Sequence, residues 1–158
     1  MVLEHAPATD EVIELELPAR PEVVSVARLV VGAVAAVDPL FDDERAADLR
    51  LAVSEACTNA IQAQIASPDR ARGRILLRCV AQRGRIELRV RDHGGGFDPD
   101  RLPRHPAVTD PARLDHEGGL GIPLIRLLAD ELEFVASPGG TTVVMVFGPR
   151  MPTGRVIG

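Results

Sequence analysis

Four short stretches of this chain combine residue types that can hold charge, take a proton or let a ligand approach the backbone. The first is Ser54-Glu55-Ala56-Cys57-Thr58-Asn59-Ala60. At about 100° per residue a helix places Glu55 and Asn59 about 40° apart on one face. Asn59 can give a neutral oxygen to Mg²⁺, a hard ion that takes oxygen ligands and keeps several waters. Glu55 can take a proton from an attacking hydroxyl or water. The same spacing also describes a polar pair on a solvated helix face.

The second stretch is Arg91-Asp92-His93-Gly94-Gly95-Gly96-Phe97-Asp98-Pro99. Asp92 closes an alternating run, which puts it at a strand end, where its carboxylate can accept from an amino group. Gly94 and Gly96 let a flat ligand approach the backbone, although a flexible turn has the same composition. A dinucleotide fingerprint is excluded: the third Gly is missing and a proline-rich segment follows instead of a helix. The third stretch, Glu117-Gly118-Gly119-Leu120-Gly121-Ile122, opens a helix and can offer free N–H groups and the positive dipole end to phosphate, although a capped loop reads the same. The fourth is Gly139-Gly140-Thr141-Thr142 before the last strand, where Thr141 can donate a hydroxyl to a ligand or simply follow a turn.

The elements that must position these residues follow from periodicity and punctuation. Val12, Ile13, Leu15 and Leu17 predict a first strand stopped by Pro18. A helix over 22–37 follows Pro21 and breaks at Asp38-Pro39. Asp42 is placed to cap a long helix running to about Ser67, before Pro68. Leu49, Val53, Ala56 and Ala60 form a stripe on it that would pack on the sheet, beside the Glu55–Asn59 face. Strands over 73–81 and 84–91 flank an Arg83-Gly84 turn. Residues 93–117 lose periodicity and hold four prolines, the pattern of a functional lid or a disordered insert. A helix at 119–130 and strands at 132–136 and 140–147 close the order. We expect an α+β, two-layer sandwich: a mostly antiparallel, mixed sheet covered on one face by helices. Residues 11–148 would be a single domain between loose tails, 1–10 and 149–158.

Composition narrows the chemistry. The 158 residues are 46% hydrophobic and 26% charged, a globular balance. The net charge of −5, with no basic run of five, argues against a nucleic-acid partner. All 18 basic residues are Arg, which removes a P-loop Lys, Schiff-base chemistry and a Ser–Lys dyad. Cys57 and Cys79 fit no C-x-x-C and read as reduced, buried thiols of a cytoplasmic protein. The longest apolar run, Val23–Val37, is 15 residues and contains Arg28, too short for a membrane span. Glu4 and Asp10, without a basic n-region, argue against a signal peptide. No H-E-x-x-H or G-x-S-x-G occurs, so a zinc hydrolase and a serine hydrolase are poor readings.

Taken in order, the four stretches resemble the boxes of the GHKL ATPase superfamily, whose fold is the Bergerat α/β sandwich. Ser54–Ala60 looks like the N box and Asp92-x-Gly94-x-Gly96 like the first glycine box. Gly119-x-Gly121 looks like the second, and Gly140-Thr141 like the last. Within the superfamily the chain most resembles the anti-sigma-factor serine/threonine kinase branch, through Glu55–Ile61, Gly96–Pro99 and Glu117–Gly121. The resemblance covers about residues 10–148.

That resemblance implies ATP and Mg²⁺ as cofactors. It makes Glu55 the general base and Asn59 the Mg²⁺ ligand. Asp92 would accept from the adenine amino group, with Thr141 nearby. Gly94 and Gly96 would pass close to base and sugar, and Gly119 and Gly121 would face the phosphates. A carboxylate at Asp92 opposes guanine's carbonyl, which would favour ATP over GTP. The implied function is a cytoplasmic serine kinase and anti-sigma switch that phosphorylates an anti-anti-sigma partner and sequesters a sigma factor, as a homodimer, without nucleic acid or membrane. The alternative is a module of the same fold that binds nucleotide and partners without phosphotransfer. Departures favour that alternative: Gln62 and Gln64 stand where many relatives carry Glu-His, and His116-Glu117 where relatives often carry an Arg. A detached histidine kinase ATPase domain is a third reading. It is disfavoured because His5, His93, His105 and His116 fall in the tail or the loop.

Overall fold

The computed structural model describes residues 10–66, 73–93 and 121–151, and its elements run in the order β1 (Glu11–Pro18), α1 (Val23–Val37), α2 (Asp43–Ala66), β2 (Arg74–Gln82), β3 (Arg85–Arg91), α3 (Gly121–Leu128), β4 (Glu131–Ser137) and β5 (Gly140–Phe147). The five strands form one sheet in the order β1-β2-β3-β5-β4. This is the expected α+β layer arrangement with one correction. The sheet was expected to be mixed, yet every pairing among the described strands is antiparallel. The reason is topological. β3 and β4 run in the same direction around the α3 crossover, but β5 inserts between them and pairs antiparallel with both.

Local chemistry explains where the helices begin and end. The Asp42 carboxylate accepts from the Arg45 N–H at 2.7 Å and caps α2, with Asp43 and Glu44 adding negative charge in the first turn. α1 stops where Asp38 turns extended ahead of Pro39. α3 ends at Leu128, two residues short of the expected boundary, because the Asp130 N–H bonds to Val146 O on β5 instead of continuing the helix. Gly84 closes the β2–β3 hairpin at φ 71°, and the Asp38 carboxylate receives its N–H at 2.7 Å.

The core lies between the helices and one sheet face. Leu49, Val53 and Ala56 on α2 are fully buried, as the stripe predicts, and Ala60 nearly so. They meet Ile75, Leu77 and Cys79 of β2 and Ile86, Leu88 and Val90 of β3, all at most 1% exposed. Alternation turns Arg85, Glu87 and Arg89 to the other, wetter face, where Glu87 pairs with both arginines. Cys57 and Cys79 are free and buried; loss of solvent pushes their thiols up to about 12 and about 11. No described helix is long and apolar enough to cross a membrane.

A buried arginine ties the second layer together. Arg45, 5% exposed, donates from Nε to Gly148 O and from Nη1 to Leu128 O, both at 2.7 Å. It also pairs with Asp48 at 3.2 Å and Asp130 at 2.9 Å, and lies over the Phe147 ring. One side chain of α2 therefore holds the C-terminal end of α3 and the end of β5. Every polar partner of this guanidinium is an oxygen, which compensates for its burial.

Candidate active site

α2 carries Glu55 and Asn59 at the margin of the core. Their neighbours Ala56, Cys57 and Ala60 are buried, whereas Glu55 and Asn59 are half-buried. α3 meets them with its first residue. A Cβ built on Gly121 would lie 3.0 Å from Asn59 Nδ2 and 3.2 Å from Glu55 Oε2, so the α3 backbone sits directly against this pair, and a larger residue there would need a neighbour to give. The opening N–H groups of α3 have no acceptor within the helix, and its dipole favours negative charge there. A carboxylate, a carboxamide and a helix N-terminus thus converge, two of them from one helix face.

A second cluster lies where β3 runs out. Asp92 is 7% exposed and Thr141 2%. The Asp92 N–H donates to Thr141 O at 3.0 Å, and the Thr141 N–H donates to Asp92 Oδ1 at 3.4 Å. Gly140 makes that approach possible. Its φ of 144° suits glycine, and a Cβ there would stand 1.9 Å from Asp92 O. Behind the strand end, Gln64 of α2 accepts the His93 N–H on Oε1 at 3.0 Å.

α2 links the two clusters. Its rise puts Asn59 about 7.5 Å and Glu55 about 13.5 Å along the axis from Gln64. The sequence-predicted residues therefore divide in two: Glu55, Asn59 and Gly121 come together, and Asp92 and Thr141 come together at the β3–β5 end. Gly94, Gly96, Gly119 and nearly all of the 93–117 lid lie outside the described residues.

Sequence reasoning read Gln64 only as a departure from a family pattern. Its real signal was its phase: it continues the Val53–Ala56–Ala60 stripe, and a buried amide at the end of an apolar stripe needs a partner. No group of three or more His, Cys, Asp or Glu that could hold a metal occurs among the described residues. A hard divalent cation does not need one when one or two protein oxygens suffice beside phosphates and water, and Asn59 offers such an oxygen in Oδ1.

Comparison with known proteins shows the family. The family described as "Histidine kinase-like ATPase domain" matches residues 17–147, and the chain belongs to it. More narrowly, it belongs with the serine-protein kinases named RsbW. It is 38% identical over 146 residues to the "Serine-protein kinase RsbW" of Bacillus pumilus (strain SAFR-032), covering 88% of this chain and 87% of that protein. It is 38% identical over 136 residues to that of Bacillus subtilis (strain 168), covering 84% and 82%, and 33% identical over 135 residues to that of Listeria monocytogenes serotype 4a (strain HCC23), covering 84% of each. The fold also matches "The crystal structure of the RsbU and RsbW domains of Rv1364c from Mycobacterium tuberculosis", with a TM-score of 0.62 at 19% identity, over 90% of this chain and 33% of that one.

Proposed function

We propose that this kinase binds Mg-ATP along α2, with the base at Asp92 and the phosphates toward Asn59, Glu55 and the start of α3. It passes the terminal phosphoryl group to a serine of an anti-anti-sigma partner, and in the other state of the switch it holds a sigma factor. The observation that carries this reading is the seating of Gly121 on the Glu55–Asn59 pair. It joins a proton acceptor, an oxygen ligand and an anion-favouring helix end in one place.

Each of the chain's own groups has a defined task. Asp92 accepts from the adenine amino group, and its N–H and its Oδ1 are both fastened to Thr141. The N–H groups at the start of α3 orient phosphate oxygens. Asn59 Oδ1 offers a ligand to Mg²⁺, which supplies charge neutralisation at the phosphates when bound. Glu55 takes the proton of the serine hydroxyl as the serine oxygen attacks the terminal phosphorus and the bond from that phosphorus to the bridging oxygen breaks, the electron pair leaving on ADP.

Two further points support the switch reading. Gln64, one of the departures that favoured a non-transferring module, is engaged on a backbone N–H rather than at the Glu55–Asn59 pair. α1 exposes Leu29 at 75% and Val37 at 77%, an outward apolar face suited to a second copy of the chain in a cytoplasmic homodimer. Incubation with labelled ATP, Mg²⁺ and the cognate anti-anti-sigma protein tests the proposal. Label is expected on a partner serine, and nucleotide binding without label on any partner would make the chain a binding module.

A further inference from the structure

We infer that Gln64 is a positioning residue for base reading: its carboxamide pins the peptide that follows β3 and so aims the Asp92 carboxylate. The inference rests on the reading of Asp92 as the adenine contact. Gln64 is 2% exposed, in phase with the apolar stripe of α2, where an unpartnered amide would be costly. It reaches past the last paired residue of β3, Arg91, to accept the His93 N–H at 3.0 Å.

The bond matters because of which peptide it holds. The His93 N–H and the Asp92 carbonyl share one planar unit. The carbonyl edge of that plane packs on Gly140, where a Cβ would come within 1.9 Å of Asp92 O. The N–H edge is held by Gln64. With both edges fixed, ψ of Asp92 is fixed. The Asp92 N–H is already tied to Thr141 O, so the launch direction of the carboxylate is fixed as well, and the Thr141 N–H on Oδ1 at 3.4 Å steadies its tip. An acceptor separates an amino group from a carbonyl only while its aim is held, which makes Gln64 a determinant of base discrimination as well as of stability.

The test is calorimetric titration of the full chain with Mg-ADP and with Mg-GDP, for the parent, Gln64→Leu, Gln64→Glu and Asp92→Asn. Gln64→Leu keeps the volume and loses the acceptor. It is expected to bind ADP about ten-fold more weakly and GDP within about two-fold of the parent. Its ADP-to-GDP preference then falls toward that of Asp92→Asn. Gln64→Glu has an accepting oxygen in either protonation state and is expected to keep the parental preference. A purely structural Gln64 would lower the melting temperature and leave the preference untouched, which overturns the inference. Should Gln64→Leu fail to fold, Gln64→Glu decides, since a lost preference with the acceptor present also overturns it. Fast exchange of the His93 amide in the parent would do the same. The two readings separate cleanly. Weakened Asp92→Asn beside a parental Gln64→Leu defeats Gln64 alone, whereas a parental Asp92→Asn defeats base reading by Asp92 and this inference with it.

Discussion

Gly121 and Asn59 touch so closely that a methyl group on the glycine would stand 3.0 Å from the carboxamide nitrogen. The contact couples the helix that opens after the 93–117 stretch to the face that carries the proposed base and metal ligand. Gly121→Ala should therefore separate stability from binding. Alanine favours helix over glycine by up to about 1 kcal/mol, so the melting temperature should hold or change little. The methyl group needs Asn59, Glu55 or α3 to give by a few tenths of an ångström, and Mg-ADP affinity should fall several-fold, up to about ten-fold, because ligand placement is sensitive to such shifts. Paired calorimetry and thermal unfolding would show it; equal affinity in both proteins would detach α3 from the site.

Glu55 and Asn59 share a helix face but should fail differently. Asn59→Ala removes an oxygen ligand and should weaken Mg-ATP binding, and any transfer along with it. Glu55→Gln preserves shape and removes the base. Its ATP affinity should stay within a few-fold while phosphotransfer falls by roughly 10²–10⁴. Single-turnover transfer at saturating ATP distinguishes the two, and a parental rate in Glu55→Gln would leave Glu55 as a solvated helix residue.

The two buried thiols give a pH dependence. Burial raises the Cys57 thiol to about 12 and the Cys79 thiol to about 11, from an ordinary value of 9.0. The folded state therefore holds protons that the unfolded chain releases first. The contribution is whole below pH 9.0 and is lost as pH rises through 9.0 toward the folded values. Stability should decline across that alkaline window, and Cys57→Ala with Cys79→Ala should flatten the decline. Thiol labelling at pH 8 should follow unfolding by denaturant; rapid labelling of the native protein would contradict the burial.

Much of this arrangement was legible in the sequence because it rests on period and punctuation. Alternation in Ile86–Val90 fixed a sheet with one covered face, and Asp42 and the Leu49–Ala60 stripe fixed the orientation of α2. What could not be read was non-local. Nothing near Arg45 in sequence foretells Leu128 O and Gly148 O, which lie 83 and 103 residues away. Gln64 looked like a departure at a reactive position, because its partner, His93, is 29 residues on and is a backbone group. The sheet's uniform antiparallel pairing depended on β5 entering between β3 and β4, a choice that strand patterns leave open.

Asp92 should read the base. Its carboxylate stands at the β3 end, and Asp92→Asn keeps the size while exchanging one acceptor oxygen for a donor that opposes an amino group. ATP binding should weaken by about 1–3 kcal/mol, the range for a charged hydrogen bond, with GTP affected less. Equal ATP affinity in parent and variant would remove Asp92 from the site.

Gly140 tests whether the meeting of β3 and β5 is as tight as the geometry implies. Two independent penalties fall on Gly140→Ala. The φ of 144° is one that L side chains rarely adopt, and the new Cβ would stand 1.9 Å from Asp92 O, where backbone rather than a flexible tip must yield. Strained backbone and overpacking each cost about 1–3 kcal/mol, so a loss of about 2–6 kcal/mol is expected. Relief would come from moving the Asp92 carbonyl, which also tilts the peptide whose N–H Gln64 holds. The variant should therefore lose ATP affinity along with stability. Gly139→Ala is the matched control. Among the described residues its Cβ would meet only an Arg91 guanidinium nitrogen, at an ordinary 3.5 Å, so stability and binding should stay near parental. Denaturant unfolding and ATP titration of both variants decide the matter. If Gly140→Ala matches Gly139→Ala in both, the β3–β5 junction is loose, and the fixed aim of Asp92 argued from it is wrong.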